Sequence, residues 1–250
     1  GRPLFFARHM QRLFSGLAQL GFPSLPWDTP ALSERCQKVI DENEVAEGVL
    51  RLVISRGSGP RGFEPPSKAQ PSLFIQAVQT PSVASRETLG VCTAILAPWK
   101  VDPASPLCYL KHLGALDKVL AKQKAKQAGA DEALFQNING HLTEAAASNL
   151  FLIVGGQILT PALHCGLLAG IARRLLLETL PQPILETEIP AALLDEATEA
   201  FLTNAVVGVR PLVAVDSRAI GNGEPGPVTR AAAEHYRRLC VQAAQGGAYD

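Results

Sequence analysis

Three prolines within residues 98–106 restrict what this chain can fold into more than any other feature. Proline lacks a backbone N–H and fixes φ, so neither a strand nor a helix can continue through this stretch. We therefore predict that the stretch separates two domains. The predicted parts are a small N-terminal domain over residues 1–98, a linker over 99–108 and a large domain over 109–250.

The apolar patterns on both sides of the prolines predict a mixed α/β (α+β) chain. Helices are expected where apolar residues recur every three to four positions, and strands where apolar residues alternate or run together. The predicted helices cover residues 8–20, 113–128, 166–180 and 228–243. The predicted strands cover residues 49–56, 73–78, 91–96, 150–154, 157–160, 200–203 and 206–215, and the first two are expected to pair antiparallel.

The predicted helix 113–128 has two different faces. Leu116 and Leu120 lie on one face. Lys118, Lys122 and Lys126 follow one another at intervals of four residues, which predicts a solvated basic stripe.

Composition excludes several classes of protein. The chain has 250 residues, 47% of them hydrophobic, and its formal net charge is zero, so nucleic acid or an anionic membrane surface is not an expected partner. No apolar run is long enough to span a bilayer. The five cysteines are scattered without metal-binding spacing, which argues against structural zinc and a disulfide framework and favours the cytoplasm.

Lys111 and Glu144 carry the strongest chemical signal. Lys111 lies between Leu110 and Leu113, and burial among apolar neighbours would favour the free amine that a nucleophile needs. Glu144 precedes four small residues, 145–148, which would let a flat aromatic ring approach the strand. A carboxylate in such a place can keep a pyridine nitrogen protonated. Together the two residues indicate pyridoxal phosphate.

A glycine-rich segment, 57–62, matches the pattern G-x-G-x-x-G and follows a predicted strand. A dinucleotide-binding fingerprint must open a helix, and Pro65 and Pro66 block one here, so that reading is disfavoured. Two readings remain open. The segment is a plain hairpin loop, or Arg61 on this loop pairs with a substrate carboxylate.

The order and wording of seven segments over nearly the whole chain resemble the class IV aminotransferase family. The segments are His9-Met10-Gln11-Arg12-Leu13, Val53 to Gly62, Leu110-Lys111-His112-Leu113, Thr143-Glu144 to Asn149-Leu150-Phe151, Leu159-Thr160-Pro161, Gly170-Ile171-Ala172-Arg173 and Thr203-Asn204-Ala205. The resemblance implies a homodimeric two-domain enzyme of fold type IV, like D-amino acid aminotransferase, with the cofactor in the cleft between the domains. Family members also carry a segment ahead of residue 3. Either this protein is natively short there or the given sequence begins after that segment, so its substrate contacts are not among the expected ones.

The resemblance also implies roles for individual residues. Lys111 would bind the cofactor covalently and Glu144 would contact its ring nitrogen. Arg12, rather than Arg8, would bind the cofactor phosphate. Backbone groups would supply the other phosphate contacts, at Gly170, Ile171, Ala172, Asn204 and Ala205, since the family's hydroxyl side chains are replaced by alanine at 172 and 205. Arg61 would contact the substrate acid group, although Phe63 departs from the polar residue common in the family.

The expected reaction follows from the same resemblance. The wording around Lys111 and Glu144 is most similar to family members that eliminate pyruvate from the small molecule 4-amino-4-deoxychorismate to give 4-aminobenzoate for folate synthesis. Gly114-Ala115 departs from those members. A transaminase of D-amino or branched-chain amino acids is the first alternative. A catalytically inactive paralogue with a binding role is the second.

Overall fold

The computed structural model describes residues 1–81 and 90–246. The chain divides into two compact units, Gly1–Ser85 together with Leu239–Asp250, and Arg86–Arg238. The helices are α1 Phe6–Gln19, α2 Thr29–Glu42, α3 Leu116–Gln127, α4 Ile171–Thr179 and α5 Pro227–Ala244. The strands are β1 Gly48–Ser55, β2 Ser72–Gln79, β3 Cys92–Leu96, β4 Glu132–Gln136, β5 Leu142–Ala145, β6 Asn149–Val154, β7 Gln157–Pro161, β8 Ile184–Thr187, β9 Glu199–Asn204, β10 Gly208–Val215 and β11 Arg218–Ala219.

The first unit contains α1, α2 and the antiparallel pair of β1 and β2. This pairing confirms the predicted hairpin, and the glycine-rich segment lies in the loop between the two strands rather than at the start of a helix. Helix α2 has no counterpart among the predicted elements. Its signals are nevertheless present in the sequence, because Asp28 caps the helix by accepting a 2.9 Å hydrogen bond from Ala31 N and Pro30 lies in its first turn.

The second unit is built on a closed ring of six strands. Strand β3 pairs in parallel with β4 and with β10, and the ring continues through β5, β6 and β9 back to β10. Strands β7, β8 and β11 extend it. The division between the units differs from the boundary predicted at residue 98, because β3 belongs to this ring.

The stretch predicted as a linker, 99–108, is also tied to the second unit. The prolines end β3 at Leu96, but Val101 N then donates a 2.9 Å hydrogen bond to Gln136 O at the end of β4. A short 3-10 helix, Pro106–Tyr109, follows. The proline-rich stretch is therefore an ordered loop against β4.

The two faces of the ring differ because side chains alternate along β6 and β9. Leu150 and Leu152 join the hydrophobic core on one face, together with Leu202 on β9. On the opposite face Phe151 and Phe201 stack with ring centroids 4.7 Å apart. The same face carries Glu199, whose carboxylate accepts hydrogen bonds from Val228 N and Thr229 N at the start of α5.

We expect Phe151→Ala to lower the free energy of unfolding by about 3–5 kcal/mol, because it removes a fully buried ring and leaves a cavity. Urea unfolding followed by circular dichroism measures the change. Phe63→Ala is the matched control, since Phe63 is fully exposed and its loss should change stability by less than about 0.5 kcal/mol. Similar effects of the two substitutions would contradict the packing described here.

Candidate active site

A row of buried polar side chains crosses the ring of strands. Glu144 on β5 lies opposite Asn149 on β6, and Asn149 lies opposite Thr203 on β9. Directly paired residues of antiparallel strands present their side chains on the same face of the sheet. All three are buried. The Oγ1 of Thr203 has no hydrogen-bond partner among the described residues, so this row offers a donor that a bound group could use.

The Glu144 carboxylate is held at both oxygens. Its Oε2 accepts hydrogen bonds from Leu168 N at 3.1 Å and from Asn149 Nδ2 at 3.4 Å. Its Oε1 accepts from Lys118 Nζ at 2.6 Å. Burial raises the pKa of Glu144 above its ordinary range, while the positive charges of Lys118 and Lys111 and the Leu168 hydrogen bond act in the opposite direction.

The solvated basic stripe predicted on α3 is wrong for Lys118, while Lys122, whose side chain is 45% exposed, is solvated but also has an acidic partner. Lys118 is only partly exposed and pairs with Glu144, and Lys122 Nζ lies 3.2 Å from Oε1 of the buried Glu132. The helix packs through Ala121 and Ala125, whose small side chains let the two lysines reach acidic groups on the sheet. Periodicity alone cannot reveal such partners, because they come from other parts of the chain.

Lys111 lies in the irregular segment ahead of α3 and lines a cavity of about 700 Å³. The other main lining residues are Lys118, Lys122, Ala146, Ala147 and Leu168. The apolar enclosure predicted for Lys111 is only half present. Leu110 is buried, but Leu113 is 66% exposed and Lys111 itself is exposed, because the segment is not helical and Leu113 faces solvent.

Gly170, at the start of α4, lies close to the side chain of Asn149. It is the N-cap residue of the helix, so the first-turn N–H groups of Ile171 and Ala172 have no intrahelical acceptor. A Cβ at Gly170 would collide with Oδ1 of Asn149, whose Nδ2 also donates to Leu168 O at 2.9 Å. The helix was predicted to begin at residue 166. It begins later because Gly166 has a φ of 93° and Gly170 is extended.

Asn204 and Ala205 lie in the turn that joins β9 to β10. Oδ1 of Asn204 accepts from Val206 N and Val207 N, and its Nδ2 donates to Ser148 Oγ at 2.9 Å. The side chain of Asn204 is therefore used to build the turn. Any contact from this turn to a phosphate would come from backbone N–H groups, as expected from the alanine at 205.

Arg12 and Arg61 belong to the first unit. Arg12 lies on α1, and its partial burial lowers the pKa of the guanidinium, so an anionic partner would stabilise its charged form. Arg61 is exposed in the loop between β1 and β2. Their roles toward a cofactor and a substrate remain predictions.

Two residues of the site were not assigned roles from the sequence. Asn149 lies within one of the seven segments. A tight turn, in which Ala145 N donates to Ser148 O, sets Glu144 opposite Asn149. Recognising this turn from the sequence would have predicted the position of Asn149. Lys118 carries no comparable local signal. Its contact with Glu144 depends on how α3 packs on the sheet.

Metal and membrane alternatives receive no support from the part of the chain that the structure describes. Within residues 1–81 and 90–246, no group of three or more His, Cys, Asp or Glu side chains could hold a metal ion. Over the same residues, no helix is both long and apolar enough to cross a membrane.

Comparison with known proteins identifies the family. The sequence profile described as "Amino-transferase class IV" matches residues 1–215, and the chain belongs to this family. The D-alanine aminotransferase of Bacillus licheniformis is 29% identical over 227 residues, which cover 89% of this chain and 77% of that protein.

Solved structures agree with this assignment and confirm the fold type IV architecture. A Legionella pneumophila protein, provisionally assigned as a 4-amino-4-deoxychorismate lyase, superposes with a TM-score of 0.82 at 26% identity, covering 97% of this chain and 86% of that one. A branched-chain aminotransferase from the thermophilic archaeon Thermoproteus uzoniensis, with norvaline, superposes with a TM-score of 0.87 at 25% identity, covering 97% and 81%.

We expect Gly170→Ala to lower the free energy of unfolding by about 1–3 kcal/mol, because the new methyl group must displace the Asn149 side chain. The φ of Gly170 is −70°, so the substitution adds no backbone strain. Gly90→Ala is the control, since among residues 1–81 and 90–246 a Cβ there would have nothing within 4 Å. Thermal unfolding of both variants makes the comparison, and an unaffected Gly170→Ala variant would show that the close contact is unimportant.

Proposed function

We propose that this chain is a 4-amino-4-deoxychorismate lyase, which uses pyridoxal phosphate to release pyruvate and form 4-aminobenzoate in folate biosynthesis. One observation carries the pyridoxal phosphate site, and segment similarity favours the lyase. Lys111 and the buried Glu144 lie in the same unit, and the positive charge of Lys111 acts on the Glu144 carboxylate. Lys111 also lines a cavity together with Lys118 and Leu168, which both donate hydrogen bonds to Glu144. Both residues lie in segments whose sequences resemble those of lyases in this family. The Legionella structure supports the same activity.

The residues of the second unit fit pyridoxal phosphate. Glu144 is a carboxylate acceptor for the ring nitrogen, and the first-turn N–H groups of α4, which lack intrahelical acceptors, suit a phosphate. The N–H groups of Ile171, Ala172 and Ala205, with Arg12, would hold that phosphate, and Lys111 would bind the cofactor covalently. When bound, the cofactor supplies an electron sink for the carbon that carries the substrate amine.

The chain's own groups then account for the proton movements. The Lys111 amine removes the proton at C4 of the substrate, and the electron pair released there expels the enolpyruvyl oxygen from the neighbouring carbon. The departing group takes a proton back from Lys111 and leaves as pyruvate, while the ring becomes aromatic. Arg61 orients the substrate by pairing with a carboxylate. No oxidant, reductant or second substrate is needed.

A transaminase of D-amino or branched-chain amino acids is the second candidate. It is favoured by the names of the relatives, which include D-alanine and branched-chain aminotransferases, and by the departure at Gly114-Ala115. The same Lys111 and Glu144 would serve it. An inactive paralogue is the third candidate, and covalent trapping of the cofactor on Lys111 by borohydride would eliminate it.

We also propose that the active form is a homodimer in the cytoplasm. Leu113 and Leu116 are each about two-thirds exposed, and Val119 and Leu120 extend this apolar patch along α3. Several exposed large apolar side chains close together in sequence favour a protein interface. All five cysteines are free thiols, and burial raises the pKa of Cys36 to about 11 and that of Cys92 to about 12, as suits a reducing compartment.

We expect Lys111→Ala to fold and to bind pyridoxal phosphate without a covalent bond, but to lose at least about a thousandfold in turnover. The reason is that the nucleophile and the base are the same amine. Pyruvate release and borohydride labelling measure the two effects. Lys124→Ala, on the exposed side of α3, should retain both. Near-normal turnover by Lys111→Ala would rule out the mechanism.

The lyase and the transaminase differ in what they consume. We expect the purified protein to convert 4-amino-4-deoxychorismate into equal amounts of pyruvate and 4-aminobenzoate without an added keto acid. Amino-group transfer from D-alanine or leucine to 2-oxoglutarate should be slow in comparison. The Lys111→Ala variant provides the blank for spontaneous breakdown of the substrate. Fast transamination with no 4-aminobenzoate would instead assign the second candidate.

A further inference from the structure

The two oxygens of the Glu144 carboxylate have partners of different kinds. Oε2 is held by a backbone N–H, that of Leu168, and by the buried side chain of Asn149. Oε1 is held by Lys118, a long side chain that is 31% exposed, whereas the Glu144 side chain is 9% exposed. The Leu168 contact cannot move without the backbone, but Lys118 can swing its ammonium into solvent on its flexible stem.

Of the two Glu144 oxygens, Oε1 is the one whose partner, Lys118, can leave, so under the proposed function Oε1 would accept from the cofactor. The ring nitrogen of pyridoxal phosphate, when protonated, is a cationic donor, as the Lys118 ammonium is. Two cations that share one carboxylate oxygen repel each other at close range, and the repulsion grows in a partly buried site. One of them must therefore leave, and Lys118 is the one with a route to water.

We propose that Lys118 is a positioning residue that holds Oε1 of Glu144 beside the cavity and releases it to the ring nitrogen of the entering cofactor. The inference rests on the proposed function. Through this exchange the buried carboxylate has a cationic partner at each stage, and removal of one partner of a buried ion pair without replacement is strongly destabilising. Lys118 thereby makes cofactor binding an exchange of one ion pair for another.

Lys122 gives a matched control on the same helix, one turn further on. Lys122 also lines the cavity, and its Nζ contacts a buried carboxylate, but that carboxylate belongs to Glu132, whose Oε1 is 3.2 Å away. The Nζ of Lys122 also donates a 2.6 Å hydrogen bond to Asp131 O. Removing the charge of Lys122 changes the charge of the cavity by the same amount as removing that of Lys118. It leaves the partners of Glu144 unchanged.

The first test follows Lys118 directly in the wild-type protein. Limited acetylation with acetic anhydride, read by mass spectrometry, compares lysine reactivity with and without saturating pyridoxamine 5'-phosphate, which cannot form a covalent bond with Lys111. We expect the acetylation rate of Lys118 to rise about two- to fivefold when the ligand binds, because Lys118 then loses a partly exposed ion pair. The acetylation rate of Lys122 should stay constant. A rate at Lys118 that is unchanged or lower with ligand bound would overturn the proposal.

The second test measures affinity. Lys118→Met should bind pyridoxamine 5'-phosphate about two- to fivefold more tightly than wild type, because no cation has to be displaced from Oε1. An analogue with carbon in place of the ring nitrogen should bind wild type and variant equally. Lys122→Met should show no gain with either ligand. Unchanged or weaker binding of pyridoxamine 5'-phosphate by Lys118→Met would contradict the exchange.

Two further outcomes keep the result interpretable. If Lys118→Met does not fold, Lys118→Arg replaces it, and its more persistent carboxylate pairing should weaken binding of pyridoxamine 5'-phosphate while leaving the carbon analogue unaffected. Equal effects on both ligands would overturn the proposal. If wild type binds neither ligand, the proposed function fails. If wild type binds the ligand with no change at Lys118, only the exchange fails.

Discussion

A carboxylate buried beside a sheet must be surrounded by donors, and much of the site is arranged around that requirement at Glu144. The Leu168 N–H and the Asn149 amide fix one oxygen, which sets the direction of the carboxylate. Asn149 in turn needs space, and glycine at position 170 provides it. The start of α4 is thereby brought against the same row of side chains. The proposed acceptor for a ring nitrogen and the proposed phosphate site at a helix N-terminus thus belong to one network.

The neighbours of Glu144 divide into rigid and movable partners, and this division matters more than their number. Backbone and buried amide groups give an orientation that survives when a ligand enters or leaves. A lysine on a helix surface gives charge compensation that can be withdrawn. The positive charge of Lys111 also acts on Glu144, and the Lys111 side chain is exposed. The site therefore combines a fixed acceptor with one cationic partner, Lys118, that can move.

Local patterns in the sequence predicted most strands and four of the five helices, because the apolar residues that form β6 or β9 are neighbours in the sequence. They failed where distant contacts decide. Nothing near residues 91–96 reveals that β3 pairs with β10, so the domain boundary was placed after β3. The lysines of α3 look solvated in isolation, yet Lys118 reaches Glu144 on a strand 26 residues later. Helix α2 was missed although its cap and its proline are local signals. Sequence motifs predicted that Lys111 and Glu144 lie in the same domain, and both lie in the second unit. The roles of Arg12 and Arg61 stay predictions.

The closed ring of strands also determines when this site can form. Its parallel closure joins β3 to β10, and Leu96 N donates to Asp216 Oδ1 across 120 residues of sequence. Loop closure over such a separation is entropically costly and slow. Strands β5, β6 and β9 hold Glu144, Asn149 and Thr203 in line, and β10 completes the ring by pairing with β3 only after nearly the whole second unit has left the ribosome. Binding competence should therefore emerge late in synthesis and all at once, with no half-built site able to capture a cofactor from a nascent chain.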